Sequence, residues 1–155
     1  MKKIDLYKLS VYAFFIIFPI AFIVTNTVFF DGAFIEASFK WAVFFIIGCR
    51  LFTAGLFQAV KPSFTAQNIF EVNDEKALPL VRELGFANIC IGLLGILSLP
   101  FDGMRISAAI VGGIYFAFAG IMHIFRKPTN KTEIFAMISD LYAVVVLAVF
   151  FFMSI

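Results

Sequence analysis

The chain has 155 residues, of which 63% are hydrophobic and 14% are charged, and its formal net charge is +2. Soluble domains carry about 45–50% apolar and about 25% charged residues, so a chain of this length could not bury such an excess in one aqueous core. The small net charge and the lack of a clustered basic stripe argue against nucleic-acid binding. These features predict a protein embedded in a lipid bilayer.

Five long apolar runs fill most of the chain. A helix needs about 20 residues to cross the hydrocarbon core, and backbone groups in lipid must be hydrogen-bonded within the helix. The runs therefore predict an all-α membrane protein, a compact bundle of five transmembrane helices that forms a single integral membrane domain over residues 1–155. The expected helices cover about residues 9–30, 41–60, 80–99, 106–125 and 134–155.

The first run follows Lys2 and Lys3, as the apolar part of a signal peptide would. Its apolar stretch is too long for that segment, and no small-x-small cleavage site follows it, so we expect a retained helix. Pro19 lies inside this helix and predicts a kink. A four-span arrangement with the first or last run at the membrane surface is the alternative.

The longest connection extends from Lys61 to Arg82. Lys61-Pro62 predicts the end of the second helix, since the residue before a proline avoids the helical conformation. Residues 63–72 mix apolar and polar side chains and predict a short interfacial helix. Pro79 suits the first turn of the third helix, and Asp102-Gly103 predicts a tight turn before the fourth.

Basic residues orient the chain through the positive-inside rule. With a cytoplasmic N-terminus, only Lys40 and Arg105 lie outside, and the basic residues that fall inside are Lys2, Lys3, Lys8, Lys61, Lys76, Arg82, Arg126, Lys127 and Lys131. We therefore expect a cytoplasmic N-terminus and an extracytoplasmic C-terminus. The short loops and this basic bias favour a bacterial cytoplasmic membrane.

Arg50 stands near the middle of the second helix. An arginine at the bilayer centre costs about 2.5–3.5 kcal/mol on insertion scales, so it needs a partner or a polar pocket. Asp140, in the first turns of the fifth helix, is the preferred partner, and Glu83 at the start of the third helix is the second candidate. A structural ion pair and a contact to an anionic ligand both stay open.

Three further polar side chains lie in apolar runs. His123 is the only histidine of the sequence, and a lone histidine does not make a metal site. It is either a hydrogen-bonded interhelical residue or a protonatable, ligand-binding one. Gln58 shares a helix face with Arg50, and Asn88 lies among small residues of the third helix, where it can bond to a neighbouring helix.

Small residues mark the helix faces that we expect to pack closely. They form one stripe on the third helix and one on the fourth: Gly85, Gly92 and Gly95, then Gly113, Ala117 and Gly120.

Under the expected topology, these polar residues fall at mid-depth or in the cytoplasmic half and come from four helices. Together they predict a polar pocket that opens toward the cytoplasm. Its candidate residues are Arg50, Gln58, Glu83, Asn88, His123 and Asp140. No metal or cofactor is expected, because Cys49 and Cys90 lie in separate runs and form no paired motif.

The segments from Arg50 to Leu56, from Glu83 to Asn88, from Gly120 to Ile124, and then Asp140 resemble an uncharacterised DoxX-like family of small bacterial membrane proteins. The resemblance covers the chain from the second helix to the end. It implies a compact helical bundle and a place near membrane redox or quinone chemistry. The lack of a cysteine pair speaks against a thiol–disulfide reaction by this chain itself.

The preferred hypothesis is a pocket for a small amphipathic or anionic ligand, such as a quinone, a lipid or a fatty acid. One alternative is a small proton-coupled transporter that acts as a homo-oligomer through Asp140, Glu83 and His123. Another is a structural subunit whose ion pairs fix helix register. Enzymatic activity is less favoured, since no nucleophile with an activating base is visible.

Overall fold

The computed structural model describes residues 5–154, and this part of the chain is helical with short connections. The helices in chain order are α1 (Leu6–Phe29), α2 (Phe34–Val60), the short α3 (Pro62–Asn68), α4 (Glu75–Leu97), α5 (Asp102–Arg126) and α6 (Lys131–Ser154). All but α3 are long and apolar enough to cross a membrane. The expected membrane fold with five long helices is therefore confirmed.

Helix α2 begins at Phe34, whereas the apolar pattern placed its start at residue 41. Glu36 and Lys40 interrupt the apolar run, yet Phe39 between them is buried. Glu36 is exposed in the first turn, where a negative charge is favourable at a helix N-terminus. The Lys40 ammonium lies 5.4 Å from the centre of the Trp41 ring, so its charge is placed beside an aromatic face.

Helix α2 also forms the centre of the bundle. Val43, Ile46 and Ile47 are fully buried, and they belong to a core that receives side chains from α1, α5 and α6. This central position buries the middle of α2, from Val43 to Ile47, just before Arg50, and a polar side chain that points into this core must find its partners within the protein.

Two stretches of the bundle wind as π-helix, Ala13–Ile17 in α1 and Val43–Cys49 in α2. The first lies just before Pro19, whose missing N–H leaves the carbonyl of Phe15 without its usual α-helical donor. The Tyr142 hydroxyl donates to that carbonyl at 3.4 Å. The sequence predicted a kink at Pro19. The structure has a π-helical stretch just before this proline, and Tyr142 of α6 supplies a hydrogen-bond donor to the Phe15 carbonyl.

Helices α2 and α4 pack backbone against backbone. A Cβ atom added to Gly85 would lie 2.9 Å from the carbonyl oxygen of Gly55, and one added to Gly48 would lie 2.9 Å from the carbonyl carbon of Gly95. A Cβ on Gly92 would overlap the backbone nitrogen of Phe52. The small-residue stripe of α4 therefore faces α2, and close approach is what these glycines provide.

The packing face of α5 is rotated from the stripe that the sequence indicated. A Cβ on Gly112 would lie 2.7 Å from the Ile47 side chain, and one on Gly120 would lie 2.8 Å from Leu141, whereas one on Gly113 would meet nothing within 4 Å. Gly120 is on the face that packs, and Gly113 is not.

The connection between α2 and α4 folds back onto the bundle. Helix α3 begins at Pro62 and buries Thr65 and Ala66. The Phe64 ring lies 6.0 Å from the Tyr7 ring of α1, which closes this end of the bundle around the first turn of α1. Pro79 occupies the first turn of α4, as its position in the sequence indicates.

Candidate functional site

The expected polar residues lie toward one end of the bundle, where α1, α4 and α6 begin and α2 and α5 end. We call it the basic end, because its described basic residues are Lys8, Lys61, Lys76, Arg82, Arg126, Lys127 and Lys131. Contacts between Tyr7 and Phe135, and between Gly55 and Gly85, fix these helix directions.

Arg50 is half-buried and directly follows the π-helical stretch of α2. Its guanidinium carbon lies 5.3 Å from the centre of the Tyr7 ring, a cation–π contact between α2 and α1. Within residues 5–154, no carboxylate oxygen lies within ion-pair distance of Arg50. Asp140 is near enough to interact electrostatically with Arg50, whereas Glu83 is exposed on α4.

Tyr7 connects three helices at this level. Its hydroxyl lies near the Arg50 guanidinium of α2 and the Ser139 hydroxyl of α6, and its ring packs edge-on against Phe135 at 6.0 Å. Tyr7 stands at the start of an apolar run, where sequence patterns favour a membrane-interface aromatic residue, and only the folded arrangement brings it to Arg50.

Asn88 and Gln58 form a second polar contact, across the α2–α4 packing face. The Asn88 amide nitrogen donates to the Gln58 side-chain oxygen at 2.7 Å. Asn88 is 3% exposed, and its own side-chain oxygen accepts no hydrogen bond from the described residues. The Tyr115 hydroxyl of α5 lies near the Asn88 amide and within electrostatic range of Arg50 and Asp140.

His123 is buried between two carboxylates of α6. Its Nδ1 atom lies 3.2 Å from Glu133 Oε1, and its Nε2 atom lies 3.7 Å from Asp140 Oδ2. The Nη2 group of Arg126 lies 2.8 Å from His123 Nδ1 and 2.9 Å from Glu133 Oε1. An imidazole and three charged groups therefore meet where α5 ends and α6 begins.

The connection between α5 and α6 holds Glu133 in place. The Asn130 side chain accepts a hydrogen bond from the Glu133 backbone N–H at 2.8 Å, an N-cap arrangement for α6. Glu71, which has a positive φ of 57°, accepts a hydrogen bond from the Asn130 amide at 2.7 Å. The Arg126 guanidinium lies over the Phe70 ring at 4.8 Å. The α3–α4 connection thus covers the end of α5.

A cavity of about 280 Å³ runs between α1, α2 and α6 on the far side of Arg50 from the basic end. Its walls are almost entirely apolar and include Phe15, Ile46 and Tyr142. Ile46 lies one helical turn before Arg50, and Tyr142 lies two residues after Asp140. We call this cavity the apolar groove. Its near end therefore lies about one helical turn along α2 from Arg50, which is not itself among the lining residues.

The structure brings Arg50, His123 and Asp140 into one polar region, pairs Gln58 with Asn88 beside it, and leaves Glu83 outside both. It adds residues that the sequence reasoning missed: Tyr7, Tyr115, Arg126 and Glu133. The spacing of Asn130 and Glu133 is a helix-capping pattern that could have placed Glu133 inside α6. In the part of the chain that the structure describes, no three His, Cys, Asp or Glu side chains are grouped to hold a metal ion.

Five apolar helices around a buried polar region define the chain as a polytopic membrane protein. The chain belongs to DUF6790, a family of unknown function, and the model of this family matches residues 9–154. No curated protein and no solved structure matched the chain. The comparison gives DUF6790 as the family and makes no DoxX assignment.

Proposed function

We propose that this protein binds a small amphipathic ligand, with the polar head at Arg50 and the apolar tail in the apolar groove. The observation that supports the proposal is that the Arg50 guanidinium has no carboxylate partner among the described residues. A guanidinium inside a membrane helix, without a carboxylate in contact among residues 5–154, has hydrogen-bond donors to offer to a ligand.

The head group is one that presents carbonyl or carboxylate oxygens. The planar Arg50 guanidinium can donate two parallel hydrogen bonds to such a group, and hydrogen bonds from a charged donor are the stronger kind. The Tyr7 ring restrains one face of the guanidinium, which favours approach of the head along its edge. When Asp140 is ionised, its negative charge nearby disfavours a head with more than one negative charge.

The tail is a single apolar chain. The groove volume of about 280 Å³ lies near the lower end of the range for small-molecule sites, about 300–1,000 Å³. It is too small for both chains of a two-chain lipid. A quinone, a fatty acid or one acyl chain of a lipid fits these limits, and the resemblance to DoxX-like proteins supports the quinone.

Native mass spectrometry of the full chain in mild detergent tests the head contact, with palmitate and a short-tailed ubiquinone as probes. We expect one probe molecule per chain, and Arg50→Gln should weaken its binding by about tenfold or more, since hydrogen bonds to charged groups contribute about 1.5–3 kcal/mol. Arg82→Gln removes the same charge from an exposed position of α4 and is the matched control. Equal binding by the wild type and Arg50→Gln would refute the proposal.

A second pair of variants tests the tail. Ala42 lines the groove and is 1% exposed, so Ala42→Leu places extra atoms in the space that the tail needs. We expect binding to fall, whereas Gly113→Ala, which meets open space on α5, should bind as the wild type does. Circular dichroism and gel filtration establish that each variant retains its helices and its size. Undiminished binding by a folded Ala42→Leu would place the tail elsewhere.

We also propose that the basic end faces the cytoplasm and that the protein lies in a bacterial cytoplasmic membrane. The positive-inside rule supports this orientation. Single cysteines at Lys127 and at Gly103, introduced into a chain without Cys49 and Cys90, test it with an impermeant thiol reagent. The reagent should label the Gly103→Cys variant in intact cells and the Lys127→Cys variant only after lysis. The reverse pattern would invert the orientation.

A further inference from the structure

We propose that Glu133, His123 and Asp140 form a proton pathway, through which Asp140 inside the bundle is reversibly protonated from the basic end. His123 lies between the two acids, with the Glu133 carboxylate 3.2 Å from Nδ1 and the Asp140 carboxylate 3.7 Å from Nε2. An imidazole can accept a proton at one nitrogen while it releases another from the second, so it can join two carboxylates that never touch.

The contacts at Nδ1 point to two alternating states. Arg126 can only donate hydrogen bonds, and the carboxylate of Glu133 can only accept them, yet both lie within hydrogen-bond distance of the same His123 nitrogen. Nδ1 cannot accept from Arg126 and donate to Glu133 at the same time. The Nε2–H tautomer satisfies the contact to Arg126, and the Nδ1–H tautomer satisfies the contact to Glu133.

In the first state, Nδ1 accepts from Arg126, and Nε2 carries the proton at 3.7 Å from Asp140 Oδ2, a separation that must shorten for the transfer. A proton from water then binds Glu133. As the O–H bond of Glu133 breaks, an N–H bond forms at Nδ1, the Nε2–H bond breaks, and an O–H bond forms on Asp140. In the second state, Nδ1–H donates to Glu133, and the Asp140 hydroxyl donates to Nε2.

Arg126 contacts Glu133 at 2.9 Å and can keep that bond in both states. The Glu133 carboxylate has regained its negative charge once the transfer is complete, so the ion pair is intact at the end. Release of the proton is the same sequence in reverse. Loading and unloading Asp140 therefore needs no rotation of the imidazole ring and no further reactant.

The groups around Glu133 and around Asp140 are consistent with proton uptake from the basic end. At the surface of the basic end, Glu71 bonds to Asn130, and Asn130 accepts from the Glu133 backbone N–H, so these residues fix the position of Glu133 without occupying its carboxylate. On the inner side, the groups around Asp140 are Arg50 of α2, Tyr7 of α1 and Tyr115 of α5. Arg50 is the cation among them, and protonation of Asp140 removes a negative charge that interacts with it electrostatically. The pathway does not require that any ligand binds at Arg50.

The lone histidine of the sequence allows a direct test. The full chain, labelled with ¹⁵N-histidine, purified without a histidine tag and placed in lipid nanodiscs, gives one imidazole to follow by NMR as the pH is lowered. We expect the Nε2–H tautomer at high pH and conversion to the Nδ1–H tautomer at the pH at which Asp140 takes up its proton. Persistence of the Nε2–H tautomer throughout, or direct conversion to imidazolium, would overturn the proposal.

Time-resolved infrared spectroscopy after a pH jump measures the transfer itself, with the Asp140 band assigned as the one lost in Asp140→Asn. His123→Gln retains hydrogen-bonding groups but cannot take a proton from one side and release it on the other. It should slow protonation of Asp140 by about tenfold or more, and Glu133→Gln should do the same. Ser154→Ala, at the exposed far end of α6, should leave the rate unchanged. An unchanged rate in a folded His123→Gln protein would refute the pathway.

Discussion

The Asn88 amide of α4 donates a hydrogen bond to the Gln58 side chain of α2 at 2.7 Å, across the face where glycine lets the two backbones touch. Asn88 is almost fully buried, and its side-chain oxygen has no partner among the described residues. The two side chains thus form a single polar contact on an otherwise tightly packed helix pair.

This contact should show a measurable coupling energy. Interhelical hydrogen bonds in membranes average about 0.6 kcal/mol and reach about 1.7 kcal/mol. We expect Asn88→Leu and Gln58→Leu each to lower the free energy of unfolding, and the double variant to lose less than the sum of the two by about that coupling. Reversible unfolding in mixed micelles measures all four proteins of the cycle. Strictly additive losses would mean that the hydrogen bond does not contribute.

The glycine contacts of α4 should be intolerant of a single methyl group. Gly92→Ala places its Cβ against the backbone of Phe52, which cannot rotate away as a side chain could. We expect a loss of about 1–3 kcal/mol in the free energy of unfolding, the usual cost of overpacking. Gly113→Ala is the matched control, because its Cβ meets open space and alanine favours the helix by up to about 1 kcal/mol. Similar effects of the two substitutions would contradict this account of the α2–α4 packing.

The apolar runs were sufficient to predict five long helices, because lipid leaves the backbone few alternatives. The stripe of Gly85, Gly92 and Gly95 likewise indicated a packing face, which the structure places against α2. The start of α2 was placed too late, since Glu36 and Lys40 interrupt the hydropathy pattern without interrupting the helix. Hydropathy reports how apolar a segment is, and it does not report where the backbone stops being helical.

The partners of the polar residues were harder to predict. Spacing along one helix gives the face of a residue, but not the rotation of that helix against its neighbours. The sequence therefore named Asp140 and Glu83 as candidates for Arg50, while the structure puts the Tyr7 ring in contact with it. Glu133 was not predicted because it is the third residue of α6, close to Lys131 and the polar connection, where an exposed position is the usual expectation.

The ion pair of Arg126 and Glu133 joins a partly exposed cation to a buried carboxylate, so loss of the cation alone should destabilise the protein strongly. The Glu133 side chain is 5% exposed, whereas that of Arg126 is 32% exposed. Arg126→Gln leaves a buried carboxylate without its cation and should cost about 3–5 kcal/mol, the usual range for such a loss. The double variant Arg126→Gln with Glu133→Gln should recover part of that loss, because no buried charge remains.

Thermal unfolding in detergent compares these proteins, and Lys131→Gln serves as the control because Lys131 is exposed at the first position of α6. A surface change of this kind is expected to lie within about 0.5 kcal/mol of the wild type. If Arg126→Gln unfolded no more easily than Lys131→Gln, Glu133 would not depend on Arg126 for its charge.

The contact between Arg50 and the Tyr7 ring should depend on the ring rather than on the hydroxyl alone. Tyr7→Phe keeps the aromatic face, and Tyr7→Leu removes it, so we expect the leucine variant to be the less stable by about 0.5–2 kcal/mol. In an Arg50→Gln background the part of that difference due to the cation should vanish. The same two substitutions at Tyr12 are the matched control. The Tyr12 ring also packs on Phe135 but has no cation–π contact to Arg50 among the described residues. A difference between Tyr7→Phe and Tyr7→Leu that is as large in the Arg50→Gln background as in the wild type would assign it to packing, and Arg50 would then be held by other groups.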